Sequence, residues 1–325
     1  MIKPTKHAVA GLAVAVLGVT GLAGCGSLDE SSSGGGSDKV EAGSVDPTAL
    51  KGVTVKVGSK EFDEQLLLGQ LTLAMMKAAG ANAVDETNTK GSTQAREKLI
   101  RGGSDVYWDY NGTGWINYLG HDKPILDSTQ QTEATAKEDL AKNQLVWGPA
   151  APFNNTYAFA VTEDFAQKTG VKTDSDMAAY IKKNPSATVC VESEFAARPD
   201  GYPGYKKAYG ITSGQLKSLG TGVVYTQTAQ GNCDFGEVFT TDGRIGNLKL
   251  QVLEDDKKFF PLYNGVLVER EDFVKEHPEV QEVMKPLAEK LTTEVMQELN
   301  KQVSADGLPP AQVAQDFLKK EGFIK

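Results

Sequence analysis

The sequence predicts an α/β fold in two lobes, and three observations carry that expectation. From residue 53 onward, segments with strand-like alternation and segments with helical spacing follow one another. Two long apolar extended runs, TYAFAV (156–161) and YNGVLV (263–268), interrupt this alternation, which makes them candidate crossings between lobes with a cleft between them. A chain of 325 residues with 40% hydrophobic content is long enough for two ordinary domains.

VTVKV (53–57) alternates Val with polar residues as a strand does, and beyond Gly58-Ser59 the segment EQLLLGQLTLAMMKAAG takes up helical spacing. Ser59 is expected to cap that helix. Glu61, Asp63 and Glu64 crowd its first turn, where the macrodipole favours negative charge. From spacing alone, Lys60 is a surface lysine. TQAREKLIRGG suggests a second helix, and DVYWDY a strand ending in an NGTG turn. TEATAKEDLAKNQ is helical and TYAFAV extended. SDMAAYIKKN then reads as helix, ATVCVES as strand, YKKAYG as helix, and GVVYTQT and KLQVLED as strands. FFPLYNGVLV has the look of a last strand, leading into the amphipathic stretch DFVKEHPEVQEVMKPLAEKLTTEVMQELNKQV. No internal repeat is visible.

The N-terminus points to export. Lys3, Lys6 and His7 precede the apolar run AVAGLAVAVLGVTGLAGC, the pattern of a secretory signal that is removed and not packed. Its end, Leu22-Ala23-Gly24-Cys25, resembles the lipobox of bacterial lipoproteins, where Cys25 is lipidated and becomes the first mature residue. A plain signal peptide cut after a small residue, or an uncleaved helix, is the alternative. The following Gly/Ser-rich segment cannot bury enough apolar surface to order itself and serves as a tether, whose root-mean-square reach is roughly 25 Å. No other apolar run is long enough to span a bilayer. The expected organisation is a signal over 1–24, lipidated Cys and tether over 25–50, a first lobe over 51–156 and 263–325, and a second lobe over 157–262. Cys190 and Cys233, left in the exported part, are expected to pair as a disulfide; two separately buried thiols are the alternative.

The net charge of −9, with no Lys/Arg cluster, argues against a nucleic-acid partner. Once His7 leaves with the signal, His121 and His277 remain, each without a nucleophile motif or metal-ligand spacing beside it. No phosphate-cradling glycine motif occurs, so no cofactor or metal is expected. A pair of acids such as Asp109 and Glu192 would suit glycoside hydrolysis, but with 43 acids such pairs are commonplace. The expectation is a protein that is not an enzyme. Four aromatics stand instead at turn-like element ends: Tyr110 before Asn-Gly-Thr, Tyr157 after Asn-Asn-Thr, Phe239 before Thr-Thr-Asp-Gly and Tyr263 before Asn-Gly. Taken singly, each is as well explained as a strand-end ring packed under a loop, and Arg198 as a solvated arginine.

GSKEFDEQLLLG, YWDYNGTG, NNTYAFAV, EFAARPDG, VFTTDGRI and FFPLYNG, in this order, resemble the substrate-binding lipoproteins of osmoprotectant ABC importers, the glycine betaine/carnitine/choline family. The resemblance implies a type II periplasmic-binding-protein fold, two α/β lobes joined by two crossing segments. It implies a cage of four aromatics around a quaternary ammonium, falling on Tyr110, Tyr157, Phe239 and Tyr263, with Phe239 standing where the family often has Tyr. It places the residues for a ligand carboxylate on Lys60, Thr113 and Arg198. A trimethylammonium has no N–H to donate, so aromatic faces are the means of holding it. Thr113 is expected to donate its hydroxyl to the carboxylate, with the glycines letting the chain turn. A cation without an acid would leave Lys60 and Arg198 unpaired, hence an expected preference for a betaine over choline. The implied protein is a monomeric receptor, lipid-anchored at the outer face of the cytoplasmic membrane, delivering ligand to an ABC permease with its ATPase. A solute-binding lipoprotein for choline, another small cation or an amino acid is the alternative.

Overall fold

The computed structural model of the chain describes residues 40–325; the expected signal, Cys25 and most of the tether lie outside them. Ten strands form two five-stranded sheets. The first contains β1 (Thr54–Lys60), β2 (Asn82–Thr89), β3 (Val106–Tyr110) and β4 (Leu145–Asn154). The second contains β5 (Tyr157–Thr162), β6 (Thr188–Glu192), β7 (Gln215–Leu219), β8 (Phe235–Phe239) and β9 (Leu250–Val252), and β10 (Asn264–Arg270) returns to the first. Their orders are β2-β1-β3-β10-β4 and β7-β6-β8-β5-β9. In the first, β1 runs parallel to β2 and β3, while β10 is antiparallel to β3 and β4. In the second, β6 runs parallel to β7 and β8, while β5 is antiparallel to β8 and β9. The two sheets thus share one plan, an architectural duplication that leaves no repeat in the sequence.

The two long apolar runs are therefore not the crossings. β5 and β10 are interior strands, buried along almost their whole length, and burial on both faces makes a strand a continuous apolar run. The chain crosses at residues 155–156 and again along 253–263, just before each of them.

Helices cover both sheets. In the first, Val55 and Val57 of β1 pack with Leu67, Leu68, Leu71 and Met75 of the helix Asp63–Ala78 and with Leu318 of the helix Pro310–Lys320. Ser59 does not cap Asp63–Ala78. It belongs to β1, its hydroxyl accepts from Asn88 N, and Phe62 stands at the N-cap position. GVVYTQT is not a strand but part of the helix Thr221–Ala229: Val224, Tyr225 and Thr228 share a buried face, and that spacing outweighs their β-branched composition. The NGTG segment is helical, continuing into a wide-turn helix over Thr113–Tyr118. Gly112 has φ −64, so it serves close approach and not turning: a Cβ there would stand 2.5 Å from the Leu262 carbonyl and against the Tyr263 ring. The amphipathic tail breaks into Glu271–Glu276, Glu279–Lys290 and Thr293–Asn300, the last capped by Thr292, whose hydroxyl accepts from Val295 N.

Cys190 on β6 and Cys233 before β8 form a disulfide across Cα atoms 5.8 Å apart, packed against Val224. It closes a loop with a sequence separation of 43. Replacing both cysteines by serine is expected to lower the unfolding free energy by about 2–4 kcal/mol in urea melts under non-reducing conditions. A melt that is unchanged contradicts the bond.

Candidate functional site

The strand arrangement brings the seven residues together. Lys60 ends β1, Tyr110 ends β3 and Phe239 ends β8, each in the parallel part of its own sheet, so these side chains stand at C-terminal strand ends, where open α/β sheets place ligands. Tyr157 opens β5, which is antiparallel to β8, so Tyr157 pairs in register with Phe239. Tyr263 immediately precedes β10, Thr113 follows β3, and Arg198 lies in the loop after β6. All seven line one cavity.

The rings form a contiguous wall. The centroids of Tyr157 and Phe239 are 5.0 Å apart, and Tyr263 meets Tyr157 edge-on at 5.2 Å. Phe62, which the sequence reasoning did not single out, also lines the cavity. It stacks on Phe239 at 5.4 Å and on Tyr110 at 6.3 Å, so it joins a ring from the first sheet to one from the second. Its signal was within reach, because it lies in the same GSKEFDEQ stretch as Lys60.

Lys60 is not a surface residue: it is buried, and its Nζ donates to Asp109 Oδ1 at 2.7 Å. Asp109 also accepts from the hydroxyls of Tyr107 and Tyr118. Arg198, also buried, forks onto Asp200 at 2.8 and 2.6 Å and reaches Glu194 at 3.0 Å. Its Nη2 donates to Thr113 Oγ1 at 3.2 Å, so Thr113 accepts from Arg198 and keeps its own proton to donate. Both cations thus already have carboxylate partners. The expectation that a ligand without an acid leaves them unpaired is corrected, and it no longer separates a betaine from choline. Asp109 and Glu192 do not act as an isolated acid pair, since Asp109 is committed to Lys60. Both protein cations also face rings: Lys60 Nζ stands 5.2 Å from the Tyr110 centroid and Arg198 Cζ 5.5 Å from that of Tyr157.

Contacts that tie the two sheets across the cavity include Arg198 to Thr113, the Tyr263 hydroxyl to Asp200 at 2.7 Å, and Ser92 N to Glu194 at 3.0 Å. Burial pushes Glu194 up, but Arg198 and Lys60 outweigh it and hold the carboxyl below its usual range. Among the described residues no group of three His, Cys, Asp or Glu is placed to hold a metal ion, and no helix is long and apolar enough to cross a membrane.

Comparison with known proteins adds relatives to this geometry. Residues 53–320 match the family described as the substrate binding domain of the ABC-type glycine betaine transport system. The chain is 35% identical to the glycine-betaine-binding protein of Pseudomonas aeruginosa over 83% of its own length and 89% of the relative's. It is 32% identical to the ergothioneine transport permease/ergothioneine binding protein EgtU of Helicobacter pylori, over 85% of this chain and 49% of that one. A solved glycine betaine/carnitine/choline ABC transporter structure superposes with a TM-score of 0.68 at 31% identity, covering 83% of this chain and 99% of the other.

Beneath the cavity, the buried Glu237 on β8 accepts from Glu192 N at 3.0 Å, and its Oε1 has no partner. Burial first, and the neighbouring Glu192 second, push its pKa up to about 8. A carboxyl raised in the folded state binds its proton more readily there. It therefore subtracts stability as pH rises from about 4.5 through about 8, and subtracts nothing below that window. Glu237→Gln is expected to raise stability at pH 8 by about 1–3 kcal/mol and to leave it nearly unchanged at pH 4, measured as urea midpoints. Equal effects at both pH values would refute the assignment.

Proposed function

The chain belongs to the substrate-binding domains of ABC-type glycine betaine transport systems, and we propose that it captures a quaternary-ammonium solute of the glycine betaine type in an aromatic cage made by Tyr110, Tyr157, Phe239 and Tyr263. It is a solute-binding protein and not an enzyme; no bond of the ligand is broken. The observation that carries the reading is the convergence of these four rings with Lys60, Thr113 and Arg198 on one cavity between the two sheets.

A trimethylammonium offers no hydrogen-bond donor, and each desolvated aromatic contact with it is worth about 2 kcal/mol. Three or four such contacts supply most of the roughly 8 kcal/mol of a micromolar complex. Thr113 would donate to the ligand carboxylate, and Arg198 and Lys60 would share it with the carboxylates they already hold. Phe239 keeps the π face but offers no hydroxyl.

Residues 51–156 with 263–325 would form one lobe and 157–262 the other, a division supported by sheet membership. Ligand touching both would favour the closed arrangement, which the permease and its ATPase distinguish from the open one. A lipid on Cys25 would tether a monomer at the outer face of the cytoplasmic membrane.

A second reading comes from the ergothioneine-binding relative, since ergothioneine carries the same trimethylammonium and carboxylate on a larger body. Titration calorimetry with glycine betaine, carnitine, choline, ergothioneine and amino acids ranks them. Heat with the trimethylammonium compounds is expected, and heat with amino acids alone would overturn the proposal. Tyr157→Leu, which keeps apolar volume but removes a π face, is expected to weaken quaternary-ammonium binding by about 30-fold. Unchanged affinity would remove Tyr157 from the cage.

A further inference from the structure

Glu64 lies in the first turn of the helix Asp63–Ala78 and is only 4% exposed. Its Oε1 accepts from the Tyr110 hydroxyl at 2.7 Å and from Asn155 Nδ2 at 2.8 Å. Its Oε2 accepts from the Thr241 hydroxyl at 2.5 Å and from Asn300 Nδ2 at 2.6 Å. Two amide N–H groups, which can only donate, and two hydroxyls together match the four lone-pair positions of a carboxylate. Gln65 Nε2 donates to the Tyr110 oxygen at 3.2 Å, which directs the phenol proton onto Glu64. Asn155 and Asn300 both leave their carbonyl oxygens without a partner while turning their N–H groups inward, an orientation that a negative charge imposes. Burial is the largest influence on this carboxyl and leaves it raised overall against the four hydrogen bonds, with no cation among the causes; the ground for reading it as the anion is geometric, two amides that can only donate turned onto its two oxygens.

Several carboxylates near the cavity are neutralised by a cation, whereas Glu61 and Glu192, which line it, make no salt bridge among the described residues. Asp109 has Lys60, Asp200 has Arg198, and Asp63 has Arg244. Glu64 makes no salt bridge among the described residues, yet it is one hydrogen bond away from a ring of the cage.

We propose that Glu64 is the counter-charge of the aromatic cage, acting on the bound cation through the Tyr110 phenol. The inference rests on the cage reading above. A phenol that donates to an anion gains electron density on its ring face, and the carboxylate's own field adds to it in a site that excludes water. Glu64 touches no ligand, so it is a positioning residue. Its two amide donors and Thr241 hold it from the crossing segment, the helix Thr293–Asn300 and the loop after β8, fixing the charge behind the ring. Tyr263 is the internal contrast. Its hydroxyl also donates to a carboxylate, but Asp200 is already paired with Arg198.

The test compares glycine betaine with 3,3-dimethylbutanoate, its neutral-headed isostere with carbon in place of nitrogen, by calorimetry or competition. Tyr110→Phe, which keeps the ring and removes the link, is expected to lower the betaine-over-isostere affinity ratio about tenfold; Tyr263→Phe is expected to change it less than about threefold. Glu64→Gln is expected to lower the ratio at least as much as Tyr110→Phe, with no further loss when the two are combined. Should Glu64→Gln fail to fold, the two phenol variants decide. If the isostere binds the unaltered protein too weakly to measure, they are compared on glycine betaine alone, with the same tenfold separation expected. Equal losses for both ligands, or equal effects of the two phenol variants, would overturn the role of Glu64, because a merely structural residue weakens charged and neutral ligands alike. Absence of any quaternary-ammonium binding by the unaltered protein removes the cage reading itself, a separate failure.

Discussion

A charge taken out of water has to be paired or saturated with hydrogen bonds, and the cavity between the two sheets is organised around that requirement. Lys60 and Arg198 are buried and would be untenable alone; each is held by a carboxylate supplied within its own stretch of chain or its neighbouring strand end. The ion pairs do more than cancel charge. Asp109 is also gripped by the hydroxyls of Tyr107 and Tyr118, and Asp200 by Tyr263, so the network fixes the orientation of the ring at position 263 and of the strand end that carries Tyr110. Glu64 satisfies the same requirement differently, with four neutral donors in place of a cation.

This arrangement explains which parts of the site were legible in the sequence. Rings and cations sit in short stretches, YWDYNGTG and EFAARPDG among them, that resemble a known family, so their positions could be named in advance. The acids that neutralise the cations stand in the same stretches, Asp109 beside Tyr110 and Asp200 two residues beyond Arg198, and Glu64, held by neutral donors, stands in GSKEFDEQ. Pairing, however, is a matter of distance in three dimensions. A chain with 43 acids gives no local sign of which ones are buried against a cation. The expectation that Lys60 and Arg198 wait unpaired failed for that reason.

The fold shows a similar division. Interior strands such as β3, β6 and β10 are buried on both sides and announced themselves as apolar runs. Of the edge strands, β9 was read as a strand in KLQVLED, but β2, β4 and β7 were not. NAVDETNT in β2 and QLKSL in β7 carry polar side chains on faces left to solvent, and β4 contains Pro149 and Pro152, which an edge tolerates and an interior strand does not. Helix Thr221–Ala229 was misread for the opposite reason, since its Val and Thr favour strands when judged singly. The shared plan of the two sheets was invisible because topology constrains burial and direction, not identity.

Phe239 shows how the two sheets are joined at the site. Its backbone N–H donates to the Tyr225 hydroxyl at 2.8 Å, so the end of β8 is held from behind by a residue of the helix Thr221–Ala229 and needs no hydroxyl of its own. The ring is then left to stack, nearly parallel at 5°, on Phe62. Offset parallel stacking favours two apolar faces, and Phe62 passes that contact on to Tyr110 from the other sheet. Tyr110 in turn donates to Glu64, which also takes the hydroxyl of Thr241, two residues beyond Phe239. Rings and hydrogen bonds therefore close a circuit through both halves of the fold. A shift of either sheet relative to the other moves the wall and the charge behind it together, which ties the shape of the cavity to its electrostatics.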